Sequence, residues 1–315
     1  MRQRNGNTNF STGGGLAAIL LWSTTIAVAR RLSEQVGPVT AAASVYLIGG
    51  LVCLLRVWWL RIPLGHFLKL PRRYLLGCGF LFALYTVLLF LAVGLAQDRA
   101  QALEIGLLNY LWPAATILLS LFLLKKRCRP LLVPGTALAL AGVCLVMTQG
   151  DRVSWRSILE HLQTNPVAYG FALLAAVSWA LYSNLTRRWA GSGNNGAVEL
   201  FIPATGLILL GVRLFSSEPT SWSAQAIGEA GLLGAITAFA YALWDAAMRK
   251  GNLLLVAACS YFTPLLSTLV SCAYLKVMPS SKLWMGCLLL VAGSLVTWLS
   301  ISDPPPGNAA TKEAP

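Results

Sequence analysis

The sequence predicts an all-α polytopic membrane protein, with ten transmembrane helices forming two inverted five-helix repeats around a central cavity. Three observations lead to this prediction. The chain is 57% hydrophobic and only 11% charged, whereas soluble domains carry about 25% charged residues. Its apolar residues fall into ten runs, most of them long enough to cross a hydrocarbon core of about 30 Å. One of these runs recurs later in the chain in the same register.

The ten predicted helices are separated by short polar or charged connections. They span residues 14–29, 38–60, 73–96, 101–124, 131–148, 166–189, 197–214, 225–247, 252–275 and 282–301. The flanking residues 1–13 and 302–315 are polar and are predicted to be disordered tails. The longest connection is predicted to be a linker, residues 149–165, between a first repeat over 14–148 and a second over 166–301.

The first apolar run ends in Ala27-Val28-Ala29 and follows two arginines. This pattern is also typical of a secretory signal peptide with its cleavage site. We expect the run to be retained as a helix, because it has a counterpart in the second half of the chain.

The fourth run, residues 101–124, has an unusual centre for a helix that only faces lipid. Asn109, Tyr110, Trp112 and Pro113 lie in its middle. Pro113 has no N–H to donate to the carbonyl of Asn109. An unpaired carbonyl at that depth is tolerated only where protein or a water-filled cavity meets it.

The fourth and fifth runs recur without a gap 151 residues further along. This register pairs Tyr110 with Tyr261 and Pro113 with Pro264, and it also pairs Gly135 with Gly286 and Gly142 with Gly293. The repeating unit contains five helices, and an odd number forces the second copy to lie inverted in the membrane. Interrupted helices at matching positions of inverted repeats are typical of transporters whose site lies near the midplane.

The distribution of Lys and Arg predicts the orientation. With the N-terminus inside, 16 of these residues fall in inside segments and 8 in outside segments. Cytoplasmic loops carry the excess of positive charge. We therefore expect both termini in the cytoplasm and the chain in the inner membrane, and the net charge of +13 does not indicate nucleic-acid binding.

The paired prolines, the Ala-Gly pairs of the fifth and tenth runs and the five-plus-five plan resemble the drug/metabolite transporter superfamily, specifically its EamA-type exporters. The strings Leu84–Gly94 and Asn109–Ala114 are similar to those of YddG-type aromatic amino acid exporters within it. This resemblance implies a monomeric ten-helix bundle with a central cavity. It also implies alternating access and export of aromatic and other apolar amino acids.

Six central aromatic residues are predicted to form the walls of the binding site, since aromatic faces stack on rings and attract cations. They are Trp22, Tyr85, Tyr110, Trp112, Trp179 and Tyr261. The alternative is that they only pack helices together. Tyr182 and Tyr241 are weaker candidates.

Polar residues complete the predicted site. Asn109 and Ser260 each precede a proline by four residues and are predicted to hold an ammonium, the alternative being local repair of the backbone. Pro113 and Pro264 are predicted to mark the helix breaks at which the halves move. Two acidic residues, Glu104 and Asp245, are candidates for proton coupling or a gate, since ionisable groups within a membrane are functional by default.

Other functions receive less support from the sequence. It contains no phosphate-binding loop, nucleophile constellation or metal-ligand spacing, so we expect neither an enzyme nor a cofactor. The expected partners are a small-molecule substrate and the lipid bilayer. Export of small cationic drugs or other metabolites remains the main alternative, and a non-transporting scaffold is a remote one.

Overall fold

A computed structural model describes residues 2–97, 99–147, 155–190, 196–275 and 281–302. The residues in these ranges are almost entirely helical and include one short pair of strands. The helices are α1 Arg2–Val36, α2 Pro38–Trp59, α3 Leu64–Leu68, α4 Gly79–Gly94, α5 Arg99–Asn109, α6 Trp112–Leu123, α7 Leu132–Met147, α8 Trp155–Thr164, α9 Pro166–Trp189, α10 Val198–Leu214, α11 Ala224–Lys250, α12 Leu253–Cys259, α13 Phe262–Leu275 and α14 Ser281–Leu299. A π-helical segment, Arg73–Cys78, leads into α4, and strand β1 (Arg127–Cys128) pairs antiparallel with β2 (Ile301–Ser302).

Five helical stretches in the described chain are long and apolar enough to cross a bilayer: Pro38–Trp59, Arg73–Gly94, Glu104–Leu123, Pro166–Trp189 and Ala224–Lys250. Helix α1 is bent by 48° between Thr25 and Val28 and adds a sixth if its two parts count as one span. The remaining apolar runs form shorter helices. The chain is therefore a helical membrane protein.

The start of α1 differs from the disordered tail predicted over residues 1–13. The helix begins at Arg2, and Ser11 and Thr12 lie against the junction of α11 and α12. Thr12 Oγ1 accepts a hydrogen bond of 2.8 Å from the backbone N–H of Asn252, and Ser11 is buried. At the other end of the chain, residues 303–315 of the predicted tail lie outside the described residues.

Part of the predicted linker over residues 149–165 is also helical. Helix α8 is amphipathic: Ile158 packs against the cluster of Ala168 and Tyr169, while Leu159 and Leu162 are exposed. Apolar residues three and four positions apart produce such a one-sided helix.

Both predicted interruptions are present. Helix α5 ends at Asn109 and α6 begins at Trp112, one residue before Pro113. Helix α12 ends at Cys259 and α13 begins at Phe262, two residues before Pro264. The prolines prevent the regular hydrogen-bond ladder from continuing through these turns.

The helices pair in a symmetric pattern. Helix α1 packs along α11 and against α13, while α9 packs along α4 and against α6. In addition, α2 packs along α10 and α7 packs along α14. If the two halves of the chain are exchanged, α1 takes the place of α9, α4 that of α11 and α6 that of α13. The exchanged helices then make the same contacts.

Glycines allow α7 and α14 to approach at backbone distance. A Cβ atom built on Gly142 would lie 2.9 Å from the carbonyl oxygen of Gly286, and one built on Gly293 would lie 2.7 Å from that of Gly135. Small residues permit this kind of contact in membranes, where packing rather than hydrophobicity drives helix association.

We predict that Gly293→Ala lowers the thermal unfolding midpoint of the detergent-solubilised protein. Its Cβ would press on backbone atoms of Gly135 and Ala139 that cannot rotate away, and overpacking costs about 1–3 kcal/mol. The matched control is Gly228→Ala on α11, whose Cβ meets nothing within 4 Å. It should raise the midpoint, because alanine is favoured over glycine in a helix by about 1 kcal/mol. An equal shift in the two variants would contradict the close contact.

Candidate functional site

The aromatic residues at the centre of the protein meet around Trp179 on α9. Its ring lies 4.6 Å from that of Tyr85, 6.1 Å from that of Trp22 and 6.2 Å from that of Trp112, measured between ring centroids. The Trp22 and Trp112 rings meet Trp179 edge to face, an arrangement that the ring quadrupoles favour. Four helices therefore direct aromatic side chains toward one point: α1, α4, α6 and α9.

A cavity of about 240 Å³, which we call the tryptophan chamber, lies beside this cluster. Its walls include six of the eight residues predicted to bind substrate. The lining residues are Trp22, Tyr85, Leu89, Asn109, Tyr110, Trp112, Trp179, Tyr241 and Thr263.

An adjacent cavity of about 270 Å³, the tyrosine chamber, shares Trp22, Tyr85, Leu89 and Tyr241 with the first. It extends along the C-terminal part of α1 as far as Ser33. Its remaining lining residues are Thr25, Ala29, Leu32, Ala41, Ala42, Val45, Tyr46, Thr86, Phe90, Leu233 and Thr237. Together the chambers reach the size typical of small-molecule sites, about 300–1,000 Å³.

Both chambers are lined without a charged side chain. Their polar groups are hydroxyls, indole N–H groups and one amide. Such a lining can hold a molecule that has a flat apolar body and a small polar head, but it offers no counter-ion.

Asn109 is the amide, and it is positioned by the turn between α5 and α6. The residue is 9% exposed, and its Oδ1 atom has no hydrogen-bond partner among the described residues. A buried polar atom without a partner requires an explanation, and a ligand is one. The hydroxyl of Tyr85 is adjacent to this amide.

Two predicted site residues lie elsewhere. Ser260 is fully buried, and its Oγ atom donates to Val256 O at 2.8 Å. Its own carbonyl accepts from Thr263 N at 3.1 Å, so the backbone at this break is repaired locally. Tyr261 is fully buried in a separate cluster with Ala139 and Leu290. The structure therefore does not bring Ser260 and Tyr261 to either chamber.

Sequence reasoning missed residues around the aromatic cluster and in the cavity walls. Trp244 belongs to the cluster and lies 5.2 Å from Trp22 and 5.5 Å from Trp112. Tyr46 lines the tyrosine chamber and contacts Tyr241 there. A spacing of four residues on α11, through Leu233, Thr237, Tyr241 and Asp245, was the signal that could have identified this face.

Asp245 belongs to a buried network beyond the aromatic cluster. Its Oδ1 accepts from the Tyr74 hydroxyl at 2.8 Å and from the Tyr182 hydroxyl at 3.4 Å, and its Oδ2 accepts from Arg249 Nε at 2.7 Å. The Tyr74 hydroxyl accepts in turn from Ala197 N at 3.0 Å. This network joins the start of the α4 segment, the C-terminal halves of α9 and α11, and the start of α10.

Glu104 lies at a different place, where α5 meets α8 and α9. It is 1% exposed and accepts a hydrogen bond from the Tyr169 hydroxyl. His161 Nδ1 lies 3.0 Å from its Oε2 atom. Neither Glu104 nor Asp245 lines a chamber. Within the described ranges, no group of three His, Cys, Asp or Glu side chains is arranged to hold a metal ion.

We predict that Asp245→Ala strongly lowers the thermal unfolding midpoint. The change removes the carboxylate of a buried ion pair with Arg249, whose side chain is 5% exposed, and breaking a buried pair costs about 3–5 kcal/mol. Glu34→Ala is the control, because the Arg30–Glu34 pair has the same i,i+4 spacing but side chains that are 57% and 61% exposed. Exposed pairs contribute about 0–1 kcal/mol. Equal decreases of the unfolding midpoint in the two variants would contradict the expectation that the buried pair stabilises the protein more than the exposed pair.

The model of the EamA-like transporter family matches residues 12–148 and, separately, residues 166–299. The aromatic amino acid exporter YddG of Escherichia coli strain K12 is 36% identical over 291 residues, which cover 91% of this chain and 96% of that protein. The YddG exporter of Salmonella typhimurium strain 14028s is 34% identical over 287 residues, with the same coverage.

A third relative, the aromatic amino acid exporter YddG of Ancylobacter novellus, is 31% identical over 294 residues and is covered to 96%, with 90% of this chain. A protein of known crystal structure, 31% identical in sequence, superposes with a TM-score of 0.76 and covers 92% of this chain and 97% of its own. The chain belongs to the EamA-like transporter family.

Proposed function

We propose that this protein exports aromatic and other apolar amino acids across the inner membrane by alternating access. The observation that carries the proposal is the tryptophan chamber, which is lined by six aromatic residues and by Asn109, whose buried amide oxygen has no partner among the described residues. The relatives named as aromatic amino acid exporters support the same substrate class.

The proposed architecture is ten transmembrane helices in two inverted five-helix repeats, over residues 14–148 and 166–301. Two observations support it. The same family model matches 12–148 and 166–299, and the helix pairs remain the same when the halves are exchanged. The odd number of helices in a repeat would invert the second copy. Pro113 and Pro264 would mark the breaks about which the halves move.

In the proposed orientation both termini lie in the cytoplasm, as the excess of Lys and Arg in the corresponding loops favours. The Asp245–Arg249 network then closes the cytoplasmic side of the chambers. The tyrosine chamber extends toward the end of α1 at Ser33, which is the opposite side. This arrangement corresponds to an outward-open conformation. The proposed functional unit is the monomer.

The lining of the chambers supports an amino acid over two other solutes. A sugar phosphate requires Lys or Arg at the site, and neither residue lines the chambers. A permanent cation would be held only by aromatic faces, at about 0.5–2 kcal/mol for each ring. An aromatic amino acid additionally places its ring between tryptophans and its polar head beside Asn109.

The purified protein in proteoliposomes should exchange labelled phenylalanine against unlabelled phenylalanine faster than empty liposomes. Counterflow measures this directly and requires no ion gradient. The same counterflow assay with threonine and with a quaternary ammonium compound distinguishes apolar amino acids in general from cationic drugs as substrates. Exchange of the quaternary compound without exchange of any amino acid would assign the chambers to cationic drugs instead.

We predict that Trp112→Ala raises the half-saturation concentration for phenylalanine by about 3- to 30-fold. The variant removes one aromatic face of the tryptophan chamber, worth about 0.5–2 kcal/mol. Trp58→Ala is the matched control, because Trp58 is 74% exposed at the end of α2 and lines neither chamber. Similar half-saturation values in both variants would remove Trp112 from the site.

A further inference from the structure

A third cavity, of about 540 Å³, lies at one end of the helix bundle, and we call it the basic pocket. Three cationic side chains line it: Lys126, Arg187 and Lys250. Among the described residues that line the pocket there is no Asp or Glu. Three apolar spans end at these lining residues or beside them: Glu104–Leu123, Pro166–Trp189 and Ala224–Lys250. The pocket therefore collects positive charge at a surface of the membrane.

Hydrogen bonds hold Arg187 next to Lys250. The Arg187 guanidinium donates from Nη1 to the carbonyl of Arg249 at 2.8 Å and from Nη2 to the carbonyl of Gly251. These two carbonyls belong to the residues on either side of Lys250. They orient the guanidinium, but a carbonyl has no net charge with which to neutralise it. The ends of α9 and α11 thus bring two cations to the same wall of the pocket.

A turn at the end of α6 positions the third cation. Lys125 has a φ of 53°, in the left-handed region that is unfavourable for residues other than glycine. This turn brings the backbone N–H of Lys126 back to the carbonyl of Ser120 at 3.4 Å. The following residues are paired with the end of the described chain through β1 and β2. Lys126 is therefore fixed between the end of α6 and the strand pair.

The remaining walls of the basic pocket include apolar side chains. Leu124, Leu254 and Trp298 line the same cavity as the three cations. Tryptophan is enriched at the level of the lipid headgroups. Apolar walls gain nothing from a small soluble anion, whereas they cover the glycerol and upper acyl carbons of a phospholipid. The combination of charge and apolar surface therefore fits a lipid better than free phosphate.

We propose that the basic pocket binds the phosphate group of an anionic phospholipid, such as phosphatidylglycerol. Basic pockets between transmembrane helices bind anionic headgroups in this way. The cations attract the phosphodiester and repel the ammonium or choline group of a zwitterionic phospholipid, so the pocket selects lipids by net charge. The inference does not rest on the proposed transport function, because it uses neither chamber.

The test is an equilibrium titration of the delipidated protein in detergent, in which native mass spectrometry counts the bound lipid molecules. The ligands are phosphatidylglycerol and phosphatidylcholine with the same acyl chains. We expect the wild type to bind phosphatidylglycerol more tightly than phosphatidylcholine. The difference should shrink as the concentration of ammonium acetate rises, because salt screens the attraction between charges.

The double variant Lys126→Gln/Lys250→Gln removes two cations of the pocket and keeps Arg187, whose hydrogen bonds join α9 to α11. Each cation near an anionic headgroup contributes about fivefold to the binding constant. The dissociation constant of phosphatidylglycerol should therefore rise about 25-fold in this variant. The affinity for phosphatidylcholine should stay as in the wild type.

The matched control is the double variant Lys69→Gln/Arg72→Gln. Both of these residues are exposed, and neither lines the basic pocket. They lie at the same end of the bundle, because the nearby Tyr74 donates to Asp245 in the last turns of α11. The control removes the same amount of charge from this end and should bind phosphatidylglycerol as the wild type does.

Three results would overturn the inference. Equal affinity of the wild type for phosphatidylglycerol and phosphatidylcholine is the first, and it requires no variant to fold. Equal losses in the two double variants are the second, because they would assign the binding to the general charge of this membrane surface. The third is binding of inorganic phosphate as tight as that of phosphatidylglycerol, which would make the pocket a site for a soluble anion.

Discussion

A bilayer offers no water to an unpaired backbone group, and this constraint governs the centre of the protein. Each broken helix contains a proline that cannot bond to the carbonyl four residues earlier. At the second break the protein repairs the loss, since the Ser260 carbonyl accepts from Thr263 N. At the first break the turn leads into a cavity, and the amide oxygen of Asn109 has no partner there among the described residues. Both breaks reach the tryptophan chamber, the first through Asn109, Tyr110 and Trp112 and the second through Thr263.

The wall of the tryptophan chamber combines residues that lie far apart in the sequence. Trp22, Tyr85, Trp112 and Trp179 converge because α9 packs against both α4 and α6, while α1 reaches the same centre through α11 and α13. Their binding potential is dipolar rather than ionic, because charged groups such as Asp245 and Glu104 are held in separate networks with their own partners. A zwitterion has no net charge and requires no counter-ion in the chamber. Its release from a neutral lining therefore does not separate an ion pair.

Hydropathy, charge and the internal repeat were sufficient to predict a helical membrane protein, the two interruptions, and six of the nine residues that line the tryptophan chamber. Periodicity could not distinguish Tyr110 from its counterpart Tyr261, because the choice between cavity and core depends on packing across the whole bundle. Ser260 lines neither chamber, and the sequence could not show this: it shows a proline four residues later but not the turn in which Thr263 N satisfies the Ser260 carbonyl. The start of α1 was missed because the sequence does not show the contact between Thr12 and Asn252, which precedes α12.

The contact between α7 and α14 has a mechanical consequence. Their backbones approach each other closely at Gly135, Gly142, Gly286 and Gly293. Strand β1 before α7 is also joined to β2 after α14, with Cys128 opposite Ile301. The two helices are thus joined at their glycines and through the strand pair. Neither α7 nor α14 contributes a residue to the chambers, so a change in access that preserves this contact would involve only the other helices, which carry the aromatic walls.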